Sequence, residues 1–356
     1  MKNYKVIGIM SGTSLDGVDI AFVNFMENNG SWKFNLQTAK TVVYNEGWKN
    51  KLATAHQLSA YDYALLNVEY GHYLGKLINE FMISNDLKPD FIASHGHTVF
   101  HQPSLKMTAQ IGDGASMATI CNAPVICDFR TTDVALGGQG APLAPIGDNY
   151  LFADYDYCLN LGGIANISFD FNDQRIAGDI CPINMVMNEL VNPLGLAYDN
   201  HGDLAKSGSI NQELLSQLDA LDYYEMLFPK SLGREMVFEN LMPLIMDSDL
   251  PVNDKLATFV EHISYQIVQL IVRFDENDLS QKKMLITGGG AFNDHLINRI
   301  KEKTSLEIII PKEDIINFKE AIVFGFLGVL RMRNEVNCLA SVTGASRDSV
   351  GGAIYY

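Results

Sequence analysis

Basic residues are scarce in this chain: 26 Lys plus Arg stand against 42 Asp plus Glu, a formal net charge of -16. That balance argues against nucleic acid or an anionic membrane surface as partner. It leaves phosphate binding open, because backbone N–H groups and a divalent cation hold phosphates locally. Cysteines are few and unpatterned: Cys121, Cys127, Cys158, Cys181 and Cys338 are odd in number and show no CxxC spacing. Such thiols suit a reducing compartment better than a disulfide framework. Long apolar runs are missing as well. The longest, residues 321–330, falls far short of the ~20 residues of a membrane span. The opening Met-Lys-Asn-Tyr-Lys leads straight into a strand pattern without a small-residue cleavage site, so a cytoplasmic location is expected. No low-complexity linker and no short repeat interrupts the chain.

What is present is apolar material in quantity: 47% of 356 residues are hydrophobic and 19% charged, enough for two sizeable cores. Residues 4–10, 17–25 and 32–43 alternate like three successive strands, so the chain opens with a β-meander. Apolar residues at helical spacing predict a long helix over 61–83, and 91–94 and 125–127 read as short strands. A second meander begins at 155, with Gly-Gly and Asn-Asp turns between its strands. Helices are expected over 182–191, 211–218, 254–274, 292–302 and 319–331, with a strand over 283–287. The two halves open alike, which implies two similar α/β lobes.

Three glycine motifs stand at strand ends. The first, Gly8-Ile-Met-Ser-Gly-Thr-Ser-Leu-Asp-Gly-Val-Asp19, joins two strands through small and hydroxyl residues whose backbone N–H groups can face an anion. Asp16 and Asp19 suit a hard cation beside phosphate, although a lone Asp-Gly also closes ordinary hairpins. The second, Leu159-Asn-Leu-Gly-Gly-Ile-Ala-Asn-Ile-Ser168, is again strand, turn, strand, and by itself only a good hairpin turn. The third, Leu285-Ile-Thr-Gly-Gly-Gly-Ala-Phe-Asn293, feeds a buried strand through three glycines into a helix. Such a run lets a flat ring or a phosphate touch backbone next to a helix N-terminus.

In this order and spacing the three resemble the phosphate-1, phosphate-2 and adenosine motifs of the actin-like ATPase and sugar-kinase superfamily. The blocks GIMSGTSLDGVDIA, SHGHTVFHQP, DFRTTDVALGGQGAPLAP, LNLGGIANIS, PKSLGRE, ITGGGAFN and SVTGA are also similar to those of the anhydro-N-acetylmuramic acid kinase family. They run from residue 8 to 345 and so cover nearly the whole chain. The resemblance implies an α/β fold of two actin-like ATPase (ribonuclease H-like) lobes with an ATP cleft between them. Lobe I would take 1–133 plus about 335–356, and lobe II 134–334. It implies ATP on Gly12, Thr13, Ser14, Leu15, Asp16, Gly17, Val18, Asp19, Gly162, Gly163, Asn166, Gly288, Gly289, Gly290 and Asn293, with Mg²⁺ near Asp16 and Asp19.

The implied reaction phosphorylates O6 of 1,6-anhydro-N-acetylmuramic acid while water opens the anhydro bridge, a step of peptidoglycan recycling. Asp179 matches the family's catalytic aspartate, and Pro182 at a first helical position would set it just ahead of a helix N-terminus that favours the ionised form. His95, Thr98, Arg130, Asp133 and Glu320 match sugar-pocket positions. Arg130 could fork onto a sugar carboxylate, or form an exposed ion pair with Asp133 three residues on. His95, His97 and His101 also have metal-ligand chemistry, but no further ligand pattern accompanies them. The chain departs from the family at His97 (usually Gln), Cys181 and Ile183 (two glycines), Asn188 (Asp) and Leu232 (often Thr). A homodimer is implied. Other readings are a kinase for a related amino sugar, an ATP-binding regulator with little turnover, or a filament-forming or chaperone-like relative, the last lacking room for a peptide-binding domain.

Overall fold

In the computed structural model, which describes residues 2–275 and 278–356, the opening apolar run becomes β1 (Lys2–Met10). The chain reverses into β2 (Gly17–Asn28), and Asn29-Gly30, both at positive φ, turn it again into β3 (Ser31–Val43). β1 and β2 pair antiparallel with Ile7 opposite Phe22, and β3 pairs antiparallel with β2. β4 (Phe91–Ser94) then lies parallel to β1. A separate hairpin follows, β5 (His97–Gln102) with β6 (Met107–Ile111), which the polar, histidine-rich sequence did not announce. β7 (Val125–Cys127) returns parallel to β4, giving the order β3-β2-β1-β4-β7, with the last strand Ala353–Tyr355 antiparallel on β7.

Both faces of β1 are covered, so Val6, Ile7 and Ile9 expose no surface. On one face the helix Ala60–Ser84, capped by Ser59 accepting from the Asp62 N–H, lays down Leu66, Tyr70, Leu74, Ile78 and Phe81. This stripe, spaced mostly by four, joins Ile7, Ile9, Val18 and Ile20 in one core. Each such aliphatic side chain, fully buried, contributes about 1.5–3 kcal/mol. On the other face the helix Glu313–Met332 lies so close that a Cβ on Gly8 would run into the Ala321 carbonyl. Gly8 is therefore fixed by packing.

The second meander repeats the plan. β8 (Tyr157–Leu161), β9 (Ile164–Phe171) and β10 (Gln174–Pro182) run antiparallel, the latter two joined by Asn172-Asp173, both at positive φ. β11 (Lys283–Thr287) lies parallel to β8 and β12 (Glu307–Ile309) parallel to β11, in the order β10-β9-β8-β11-β12. Three antiparallel strands followed by two parallel ones, in the order 3-2-1-4-5, is the ribonuclease H-like arrangement, and the chain carries it twice. The second core is closed by the helix Val252–Phe274, which buries Leu256, Phe259, Val260, Ile263 and Ile267. No helix among the described residues is long and apolar enough to cross a membrane.

The chain divides into Met1–Leu151 with Phe318–Tyr356, unit 1, and Phe152–Asn317, unit 2. These divisions lie 18 residues after 133 and 17 before 335, the positions read from the sequence. Packing keeps both intervening segments in unit 1. A Cβ on Gly147, in the helix Ala144–Leu151, would fall 2.6 Å from Val323. Asp148 of that helix pairs with Lys319 at 2.7 Å. Helix starts move too, that expected from 254 to Val252 among them. The helix expected from 182 is Asn184–Val191, because Pro182 still pairs with Ile164 in the sheet. That expected from 319 begins at Glu313, and that from 292 at Asp294, behind its cap Asn293.

Candidate active site

The β1–β2 connection is an exposed loop on a locked base. Ser11 is fully buried, and its hydroxyl, Tyr44 and Tyr70 close a ring of hydrogen bonds of 2.5–2.7 Å. Above it Thr13 and Ser14 are exposed, Leu15 has φ +61°, and a Cβ on Gly12 would meet nothing nearer than Ser14 Oγ at 3.5 Å. Gly17 differs: its Cβ would fall 2.5 Å from the Val42 carbonyl, so strand packing requires it, and Val18 is a core residue. Asp16 is exposed; half-buried Asp19 accepts from Thr41 Oγ1 at 2.6 Å. Burial pushes the Asp19 acid above the usual carboxylate range, Thr41 opposes the rise, and the charge of Asp16 adds to it. Two hard carboxylates that repel one another fit a divalent cation, which would relieve the repulsion. Among the described residues no three His, Cys, Asp or Glu side chains converge on one point, so non-protein oxygens would complete such a site.

In unit 2 the Gly162-Gly163 turn joins β8 to β9, and a Cβ on Gly163 would touch only Met185, at 3.9 Å. The carbonyls of this turn accept from the N–H groups of Ile183, Asn184 and Met185. Asn166 on β9 lies opposite Asp179 on β10. The three glycines after β11 have different burdens. Gly288 has φ +81° and its Cβ would sit 2.5 Å from Asn160 Oδ1; that of Gly290 would sit 2.7 Å from Leu161. Gly289 is open, with only Asn184 Nδ2 at 3.6 Å. Asn293 caps the helix Asp294–Lys303 by accepting from the Leu296 N–H at 3.0 Å. A cavity of about 440 Å³ opens here, lined by Gly289, Asn293, Asn188, Tyr198, His201 and Phe292 among others. Tyr198 and His201 were not foreseen, since they stand in an irregular stretch without a motif. Phe292 closes the glycine motif and could have been read from it.

Of the unit 1 residues expected at the sugar, His95, Arg130 and Asp133 form one hydrogen-bonded group through Gly140. Arg130 donates from Nε and Nη2 to His95 Nε2 at 3.0 and 2.9 Å, and from Nη1 to the Gly140 carbonyl at 2.5 Å. His95 Nδ1–H donates to the Gly96 carbonyl at 2.8 Å, which fixes the tautomer. Burial, then the guanidinium charge, pull the His95 pKa down to about 3, so the ring is a neutral acceptor. Arg130 and Asp133 do not form the surface ion pair that their spacing allowed. Asp133, 1% exposed, accepts from the Gly140 N–H and Thr343 Oγ1 at 2.7 Å each and from Cys338 Sγ at 3.1 Å. Thr98 accepts from Gln110 Nε2 at 3.3 Å in the β5–β6 hairpin, while exposed Glu320 lies next to Lys319 on the long C-terminal helix. His97 is buried and hydrogen-bonded to the Gly12 backbone, and His101 Nδ1 pairs with Thr108 Oγ1.

Asp179 is not ahead of a helix; it lies within β10, beside a bulge that separates it from Cys181. Its N–H donates to the Lys230 carbonyl at 2.8 Å and its carbonyl accepts from Tyr223 OH at 2.9 Å. Carboxylate Oδ2 accepts from the Leu232 N–H at 2.8 Å and from Ser231 Oγ at 3.2 Å, leaving Oδ1 outside both bonds. Burial raises the acid above the usual range, and those two donors oppose it. This overturns the expectation that a helix N-terminus favours the ionised form; the Leu232 N–H and the Ser231 hydroxyl do so instead. Cys181 and Ile183 are fully buried in the unit 2 core, Ile183 at φ −132°, so neither occupies a conformation reserved for glycine.

A family model described as anhydro-N-acetylmuramic acid kinase matches residues 4–356. The protein of that name in Aliivibrio fischeri is 35% identical over 375 residues, 99% of each chain. That in Photobacterium profundum is 33% identical, covering 99% of this chain and 98% of its own. With a match of that extent over the glycine motifs, the Arg130 cluster and Asp179 alike, the chain belongs to the anhydro-N-acetylmuramic acid kinase family.

Proposed function

We propose that this kinase transfers the γ-phosphoryl group of ATP to O6 of 1,6-anhydro-N-acetylmuramic acid while water opens the anhydro bridge. The water oxygen bonds to C1 as the C1–O6 bond breaks. O6 takes the phosphoryl group as the bond to the β-phosphate oxygen breaks. One water proton passes to Asp179 and the other stays on the new anomeric hydroxyl. The products are N-acetylmuramic acid 6-phosphate and ADP.

One observation carries the reading: Asp179 keeps Oδ1 unengaged while Oδ2 is held by two donors, the disposition a general base needs. Its burial-raised pKa brings it nearer a working pH, where proton transfer is better matched. The Gly12–Asp19 loop and the Gly162-Gly163 turn take the phosphates, and Gly288, Gly289, Gly290 and Asn293 the adenosine. Asp16 and Asp19 would hold Mg²⁺, which neutralises phosphate charge when bound. His95 holds Arg130 in one orientation, so that the guanidinium meets a polar sugar group without reorganising; Thr98 and Glu320 complete the sugar's surroundings, and Asp133 acts from behind by holding Gly140, whose carbonyl takes Arg130 Nη1. The five free, buried thiols suit the cytoplasm, and a homodimer is the assembly to be checked by sedimentation.

The test is turnover of the anhydro sugar with Mg-ATP in water enriched in ¹⁸O. The expected product is the 6-phosphate with one ¹⁸O at C1. A phosphorylated sugar without the label would remove the coupled hydrolysis. ADP formation with another amino sugar only would redirect the substrate, and none with any would leave an ATP-binding regulator.

A further inference from the structure

Resting on the reading of Asp179 as base, we propose that Ser231 is a positioning residue which, with the Leu232 N–H, fixes Oδ2 and leaves Oδ1 as the proton-accepting oxygen. The segment that carries it is clamped to β10. Asp179 donates its own N–H to the Lys230 carbonyl at 2.8 Å. A Cβ on Gly178 would strike the Phe228 ring at 2.6 Å and the Lys230 carbonyl at 2.9 Å, so the two backbones meet at a distance only glycine allows. Lys230 in turn donates from Nζ to the Tyr223 carbonyl at 2.6 Å and lies 4.1 Å from the centre of that ring. Tyr223 closes the loop by donating to the Asp179 carbonyl. The main chain of Asp179 is therefore fixed at both its polar groups, and only carboxylate rotation remains. Two donors on one oxygen remove that freedom.

The electrostatics point the same way. The titratable groups around Asp179 are Tyr223, Cys181 and Lys230. Burial pushes the Tyr223 hydroxyl and the Cys181 thiol far above neutrality, so both stay uncharged. Lys230 is drawn down to about 8, chiefly by burial, and its ammonium is spent on the Tyr223 carbonyl. What opposes burial at Asp179 is thus the Leu232 N–H and the Ser231 hydroxyl. Ser231 is exposed, so Ser231→Ala removes its donor without emptying a core.

The experiment is the pH profile of kcat/KM with Mg-ATP and the anhydro sugar for the parent, Ser231→Ala, Ser231→Thr and Asp179→Asn. Loss of a donor to the ionised form raises the acid's pKa, so the acid limb of Ser231→Ala moves to higher pH. Below that limb kcat/KM falls about tenfold, the scale of one hydrogen bond to a charged group. KM for ATP stays at the parent value, the melting temperature near pH 7 falls by no more than a few degrees as the ionised carboxylate loses a donor, and Ser231→Thr restores the limb. If the limb of Ser231→Ala is unmoved while Asp179→Asn is inactive, Ser231 does not position the base. If Asp179→Asn keeps its turnover, the base reading itself falls, whatever Ser231→Ala does.

Discussion

Asp133 in unit 1 and Asp179 in unit 2 are both acids surrounded by hydrogen-bond donors, but the donors are distributed differently. Asp133 is 1% exposed and spreads three donors over both oxygens, from Gly140, Thr343 and Cys338. It ties the loop after residue 133 to the C-terminal segment. Asp179 is half-buried and gathers both its donors on Oδ2. A carboxylate satisfied on both oxygens acts as a cross-link; one satisfied on a single oxygen remains able to take a proton. The two differ in what removing the charge should do.

The largest effect is expected on turnover at Asp179. Asp179→Asn can still accept from Leu232 and Ser231 but cannot take a proton. Steady-state kinetics should show kcat down ~10²–10⁴-fold, with nucleotide affinity within a few-fold. Normal turnover would break the contrast, leaving Asp179 as structural as Asp133.

Next comes stability at Asp133. Asp133→Ala leaves the Gly140 N–H and the Cys338 thiol without this acceptor in a dry site, and leaves Thr343 Oγ1 only the long bond to the Leu339 carbonyl at 3.3 Å. Orphaned buried polar groups cost about 1–3 kcal/mol each, so urea unfolding should show a loss of about 3 kcal/mol or more. A variant as stable as the parent would show that water reaches those donors.

The same division between held and open positions runs through the glycines. Gly288→Ala forces a left-handed residue and a Cβ against Asn160 and Leu161, and should lose about 2 kcal/mol before any ligand is considered. Gly289→Leu has room to fold yet fills the cavity wall. At ATP near ten times the parent's Kd, the parent gains about 1.4 kcal/mol of protection, which Gly289→Leu should lack. Equal protection in both would move the adenosine away from this cavity.

The sequence made the repeated meander and the strands 91–94, 125–127 and 283–287 legible, because short apolar runs bounded by turns carry their own signal. It also brought the glycine motifs and Asp179 forward. It misjudged Pro182, which suits a helix start by local rule but stays in the sheet through its pairing with Ile164. Ser231 and Leu232 reach Asp179 across 52 and 53 residues, a contact no local pattern contains. The burial of Cys181 and Ile183 was hidden for the same reason: in sequence they stand where the family has glycines, and only packing shows their side chains turned into the core.

The smallest effect concerns stability and pH at Asp179. Burial raises its folded-state pKa above the unfolded one. Such a group supports the fold while protonated and loses that support as pH rises through the folded pKa. At neutral pH the ionised carboxylate is thus a small liability, which the Leu232 and Ser231 donors only partly offset. Asp179→Asn removes the charge and keeps both hydrogen bonds, so it should melt about 1 °C above the parent near pH 7. The gain should vanish below the unfolded pKa, near 4, where the parent's acid is protonated in both states. Asp133→Asn should never gain, because its donors match a carboxylate on both oxygens. A melting curve of Asp179→Asn below the parent at every pH would mean that the ionised form is held as firmly as at Asp133. The carboxylate would then be stabilised where it stands, and the gap between the two regions would close.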